Sequence, residues 1–271
     1  YGYRWLDEHV TRHRLRGSWS SSDGAAGRMT ATAGLHNLPG DLRPAVAAGP
    51  GHRFVRADLG QIEPRILAAA SGDSALAAAT HEADMYAPVA QRLGVSRDIA
   101  KVAVLGAMYG QTTGHGAAAL RGLDAAYPVA MNYLTDAARA AEAGHDLRTR
   151  GGRRVRMTGA IDPSTAERDQ RSRAAARGRY GRNALVQGAA AEFFKTWAVI
   201  VRARLSAPSR IVLCLHDELL VHAPATEADD VAAIIDDALQ ETAARWLQPE
   251  IQVDVRFVAD TSIIGRWSEA K

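Results

Sequence analysis

The spacing of apolar and polar positions changes period several times along this chain, and each change predicts an element. Residues 3–16 read as a short basic helix, and the Gly- and Ser-rich stretch 17–28 reads as a loop, as does 34–50. Arg53 to Ala57, with Phe54 and Val55 at its heart, predicts a short strand that stops at Asp58. Ile62 to Ala70 then takes up helical spacing, with Pro64 tolerated in the first turn. The order there is strand, acid, helix.

Further along, Ser96 is placed to cap a helix from Arg97 to Tyr109, closed by Gly110 and the Thr-Thr-Gly after it. Alanine-rich helices fill 117–144 with a break near Tyr127 and Pro128. A long helix is expected from about Asn183 to Leu205, with Phe193, Phe194, Trp197 and Val201 as its core stripe. Ile211 to Ala223 is apolar on both arms with His216, Asp217 and Glu218 between them, which predicts a hairpin with a polar tip. Residues 227–247 form an amphipathic helix, and Ile251 to Val258 alternates like a final strand.

Composition sharpens this picture. The 271 residues include 54 alanines and only 16 aromatics, which favours closely packed helices over a thick β-sandwich core. The single cysteine, Cys214, excludes a disulfide scaffold and reads as a small core hydrophobe. No uninterrupted apolar run approaches the roughly 20 residues of a membrane span, and no basic-then-apolar export signal opens the chain, so a cytoplasmic location without membrane partners is expected. Tyr1, not Met, is the first residue, so other domains or chains are expected upstream.

Charge is unevenly spread. The net charge is only +3, yet 11 arginines stand against three acids between Arg148 and Arg182, which fits a polyanionic partner or a solvated basic loop. Only three of the 33 basic residues are lysines, and Lys271 is terminal, leaving Lys101 and Lys195. Arg97, Lys101, Leu105 and Tyr109 fall at steps of four along one helix and share one slowly drifting stripe. Two cations followed by a hydroxyl-bearing aromatic suit a triphosphate and then a sugar or base, or else a solvated basic face. Asp58 and Asp217, both at strand edges, would repel each other by roughly 1–4 kcal/mol at about 4 Å unless a divalent cation such as Mg²⁺ lay between them. His9, His13, His52, His81, His115 and His145 show no paired ligand spacing, and Trp5, Trp19, Trp246 and Trp267 read as packing residues.

Taken together, these motifs resemble the DNA polymerase I group, family A. Asp58-Leu-Gly-Gln-Ile-Glu-Pro-Arg65 resembles motif A; Arg97-x₃-Lys101-x₇-Tyr109-Gly110 resembles motif B; His216-Asp217-Glu218 resembles motif C. Gly27-Arg28 through Leu38-Pro39 and Arg179-x₃-Asn183-x₃-Gln187-Gly188 resemble flanking segments, all in the right order. The resemblance implies an α+β right-hand polymerase: a small antiparallel palm sheet, helical fingers and a reduced or missing thumb. It divides the chain into 1–26 (thumb remnant and loop), 27–72 (palm, motif A), 73–178 (fingers, motif B) and 179–271 (palm, motif C).

The implied activity is template-directed DNA synthesis from dNTPs on a primer 3′-hydroxyl, with two Mg²⁺ ions and primer-template DNA as partner. Asp58 and Asp217 would bind the metals, with Glu218 assisting. Arg97 and Lys101 would hold the triphosphate, Lys101 also protonating the leaving pyrophosphate. Tyr109 would cover the nascent base pair, Glu63 would block a ribose 2′-hydroxyl, and Gln61 would order that pocket. Arg28, Arg179, Asn183, Gln187 and His216 would contact the primer-template. Leu105 stands where the family has an aromatic against the sugar, Leu59-Gly60 replaces a typical Tyr-Ser, and Pro64 replaces a leucine. The competing expectations are a single-subunit RNA polymerase or primase-like enzyme, which Glu63 beside the sugar argues against, and a catalytically silent nucleic-acid-binding module.

Overall fold

The computed structural model describes residues 2–23, 26–110, 117–157, 167–247 and 253–270. Helix α1 (Tyr3–His9) gives way to a hairpin of β1 (Val10–Thr11) and β2 (Arg14–Leu15), so the helix expected over 3–16 stops early. Its reason is local: Arg12 and His13 both take positive φ (51° and 60°), the twist a two-residue hairpin turn needs. The expected loop 17–28 likewise contributes a short strand, β3 (Trp19–Ser20), paired with β4 (Thr30–Ala31). Next come β5 (His52–Leu59) and α2 (Ile62–Ser71), α3 (Ser74–Ala79), α4 (Tyr86–Leu93), α5 (Arg97–Tyr109), α6 (Ala117–Ala126) and α7 (Pro128–Glu142). After the hairpin of β6 (Leu147–Arg148) and β7 (Arg154–Val155), α8 spans Glu167–Arg204, and β8 (Arg210–Leu215), β9 (Glu218–Pro224), α9 (Ala228–Trp246) and β10 (Ala259–Ile264) complete the chain.

The molecule divides into two compact units, with borders after Leu59, inside α8, inside α9 and before Ala259. The first comprises residues 1–59, 194–242 and 259–271 and is built on an antiparallel sheet ordered β10-β5-β9-β8. Side chains alternate across its central strand. Phe54 joins Leu213, Leu215, Leu220, Ile264 and Trp267 in one core cluster, while Val55, Ala57, Leu219 and Val221 are fully buried on the opposite face. Trp197 and Val201 of α8 are completely buried as expected, and Trp197 Nε1 donates to Ile235 O of α9 at 3.0 Å.

The second unit, residues 60–193 and 243–258, is helical, as the alanine content leads one to expect. Small residues let its helices approach closely: a Cβ on Gly181 would lie 2.5 Å from Ala141 Cβ. Asp73 caps α3 through Leu76 N (2.9 Å), and its second oxygen accepts from Ala130 N of α7 (3.0 Å). Two expectations are corrected here. The arginine-rich stretch is helical from Glu167 onward, because Ala and Arg are good helix formers whatever their charge. The final strand is Ala259–Ile264, not 251–258. Within the latter stretch Val255 and Phe257 are buried, Phe257 stacking on Phe193 at 4.3 Å between ring centroids, so its alternation is real but it joins no sheet. Residues 251–252, like the Thr-Thr-Gly after Gly110, lie outside the described residues. One apolar window of α8 is long enough to cross a membrane by length and composition, yet 61% of it is buried inside the protein, as befits a core helix.

Candidate active site

In the first unit the acids of the two strand-edge motifs come together because β5 and β9 are direct neighbours. Their register pairs Asp58 with Glu218, and Leu59 N donates to Asp217 O at 2.9 Å, which sets Asp217 beside Asp58. Asp217 itself lies in the two-residue turn between β8 and β9, preceded by His216 at φ 41°, an uncommon conformation for a residue with a Cβ. On the other side, β10 pairs Asp260 with Asp58. Residues directly opposite in adjacent strands share a face, so Asp260, Asp58 and Glu218 form one row across three strands.

Burial dominates the electrostatics of this cluster. It pushes the Asp58 carboxyl up to about 6, with the neighbouring Asp217 adding to the rise and Arg56 opposing it. Asp217 is raised by burial as well, against the pull of Arg28. Arg28 also stands close enough to His216 to lower it further below its ordinary value, after burial itself. His216 and His36 approach ring to ring at 4.7 Å, and burial followed by His216 lowers His36. Glu218 is held on both oxygens: Trp267 Nε1 donates to Oε1 (2.9 Å) and Arg56 Nη2 to Oε2 (3.1 Å). Trp267, expected only to pack, thus also orients an acid of the site.

The second unit collects the residues of the Arg97-to-Tyr109 stripe. Ser96 Oγ accepts from Ile99 N at the start of α5, and Gly110 ends the helix at φ 70°, where a Cβ would also meet Arg179 Cγ at 3.0 Å. Arg97 and Lys101 are exposed, and Leu105 and Tyr109 half-buried, so the stripe sinks into the unit as it drifts around the helix. Tyr109 donates its hydroxyl proton to Glu63 Oε2 (3.1 Å), and Gln187 Nε2 of α8 donates to the same hydroxyl oxygen (3.4 Å). Glu63, only 9% exposed, is thereby fixed in α2. Arg97 is paired with Asp84, whose hydrogen bond is the main reason its guanidinium is held above its ordinary value.

Gln61 caps α2 in a left-handed conformation (φ 48°) and accepts from Arg65 Nη2 at 3.2 Å. Arg65, with no exposed surface, also donates to the carbonyls of Gly60, Thr80, Glu82, Ala83 and Arg256. Burial lowers it to about 10. Asn183 lies on the same α8 stripe as Arg179 and Gln187, with its Oδ1 buried and lacking a hydrogen-bond partner among the described residues. Sequence reasoning missed Arg56, Arg65, Asp84 and Asp260. For Arg56 the signal was the period of two, which puts its charge on the face of Asp58. Among the described residues no three or more His, Cys, Asp or Glu side chains converge as a metal cage.

A row of carboxylates on a sheet end and a basic helix stripe are the parts a phosphoryl-transfer enzyme requires. The family model for DNA polymerase family A matches residues 4–269. The chain belongs to that family. It is 32% identical over 258 residues to DNA polymerase I of Chloroflexus aurantiacus, covering 83% of this chain and 26% of the relative. Against DNA polymerase I of Deinococcus radiodurans the identity is 25%, covering 95% of this chain and 29% of the relative. The chain therefore spans under a third of the length of these curated relatives. The polymerase domain of Pol1 from M. smegmatis, solved with a DNA primer-template and dNTP, superposes with a TM-score of 0.80 at 25% identity, over 98% of this chain and 50% of that one.

Proposed function

We propose that this chain is a DNA-directed DNA polymerase domain that transfers a nucleotide from a dNTP to a primer 3′-hydroxyl. The observation that carries the reading is the meeting of Asp58 and Asp217, residues far apart in the chain, at one sheet end in the first unit. Two adjacent carboxylates, both raised by burial and Asp58 raised further by Asp217, are hard oxygen donors of the number Mg²⁺ takes when phosphate oxygens complete its shell, so these residues fit the cation. Asp58 and Asp217 would hold two Mg²⁺ ions, which when bound neutralise charge on the attacking and leaving oxygens.

The chain's own residues supply the rest. Glu218, clamped by Trp267 and Arg56, keeps the acid row in register. Lys101 and Arg97 bind the triphosphate, Arg97 after leaving Asp84, and Lys101 hands a proton to the pyrophosphate oxygen as it departs. Tyr109, held by Glu63 and Gln187, packs on the nascent base pair. Glu63, ordered beside Gln61, excludes a 2′-hydroxyl. Arg28 and His216 in the first unit, and Arg179, Asn183 and Gln187 in the second, bind primer-template phosphates and minor-groove edges, where degenerate readout accepts every sequence. The first unit, with its sheet, corresponds to the palm and the second to the fingers. A cytoplasmic location follows from the same reading.

Primer extension by the chain, beside Asp58→Ala and Asp217→Ala, tests this. Template-dependent extension is expected with Mg²⁺ and dNTPs and is lost in both variants. Equal extension by all three, or a preference for rNTPs, overturns the assignment.

A further inference from the structure

The row that joins Asp58 of the metal site to Glu218 and Asp260 already holds a cation belonging to the chain. Arg56 precedes Asp58 by two positions in β5, so both side chains leave the same face of the sheet. Its guanidinium reaches all three acids of the row: Nη2 donates to Asp58 Oδ2 at 2.8 Å and to Glu218 Oε2 at 3.1 Å, and Nη1 lies 3.5 Å from Asp260 Oδ2. Arg56 is only 6% exposed, so little water is at hand to replace these partners. Its cross-strand neighbours are Ser262 and Leu220, neither of which offers a charge. The carboxylates are therefore the only reason visible in the sheet for burying a permanently charged side chain there.

We propose that Arg56 is a built-in counter-ion of the catalytic acids. It keeps Asp58 and Glu218 ordered before a divalent cation arrives, and its positive charge weakens the hold of the same carboxylates on that cation. The ion pairs stand by themselves; that the cation is the polymerase's Mg²⁺ rests on the functional reading above. Asp58 must then be shared between Arg56 and the metal, because Arg56 Nη2 already occupies one of its oxygens.

The test compares the chain with its Arg56→Gln and Asp260→Asn variants, using Mn²⁺ binding followed by water-proton relaxation, and thermal unfolding in EDTA and in Mg²⁺. Removing a unit charge from beside the acids is expected to tighten Mn²⁺ binding by on the order of tenfold. Arg56→Gln should also unfold at lower temperature in EDTA, with most of the deficit recovered in Mg²⁺. Unchanged Mn²⁺ affinity, with an unfolding deficit equal in EDTA and Mg²⁺, would make Arg56 a structural member only and overturn the proposal. Asp260, 75% exposed, tolerates substitution should Arg56→Gln not fold. Asp260→Asn removes an acid and leaves the guanidinium, so it should weaken Mn²⁺ binding several-fold; unchanged or tighter binding overturns the charge account. Failure of the functional reading looks different: Mn²⁺ binding then survives in Asp58→Ala and Asp217→Ala, whatever Arg56→Gln does.

Discussion

Asp58→Asn should stabilise the metal-free protein, and only above mildly acidic pH. In the folded chain the Asp58 carboxyl is pushed from 3.8 to about 6, chiefly by burial and then by Asp217. The folded state therefore holds this proton more tightly than the unfolded chain does, and stability is lost as pH rises from about 4 through 6. Roughly two units correspond to about 3 kcal/mol; with the side chain 33% exposed, solvent screening reduces this to about 1–2 kcal/mol. Asparagine cannot ionise and escapes the cost. Melts of both proteins in EDTA should coincide near pH 4 and separate to roughly 2–8 °C in favour of the variant above about pH 6.5. Mg²⁺ should then raise the wild type and leave the variant where it is. A difference independent of pH, or a variant that loses ground as pH rises, would refute the electrostatic account.

Other substitutions probe the second unit. Tyr109→Phe removes the hydroxyl that joins Glu63 to Gln187 and should raise the dNTP KM by about 3–10-fold in steady-state extension, a loss near 1 kcal/mol. Glu63→Ala should lower the preference for dNTP over rNTP by roughly tenfold or more in single-nucleotide incorporation, while Tyr109 still packs. Lys101→Ala, at an exposed position, should leave the melting temperature unchanged and cut kcat/KM for dNTP by roughly 10–150-fold, the worth of a charge-assisted contact. Arg65→Met should cost at least about 3 kcal/mol in urea unfolding, because it leaves buried carbonyls without their donor.

Much of the site was legible because its parts are local. The cap at Ser96 and the turn at His216-Asp217 each depend on neighbours within a few positions, and the structure places them as expected, while the strand expected to stop at Asp58 runs on to Leu59. Asp260 was not legible, since its place beside Asp58 and Arg56 depends on a register joining strands some 200 residues apart. Alternation at Val255 and Phe257 likewise declares an extended backbone but not the neighbour it will find. The helices Ser74–Ala79 and Tyr86–Leu93 are too short for a period of 3.6 to declare itself. The basic stretch misled because charge speaks to solvation and partners, while backbone propensity there favours helix.

Arg65 carries a consequence for how the chain matures. One of its donors reaches the carbonyl of Arg256, 191 positions later, in the same unit that holds the Arg97-to-Tyr109 helix. Until that distant carbonyl is in place the guanidinium keeps water at this corner, so the second unit cannot finish packing from its long contiguous stretch alone. Substitutions that loosen residues 253–258 would accordingly be felt around Arg65, in a stretch of sequence far from the change.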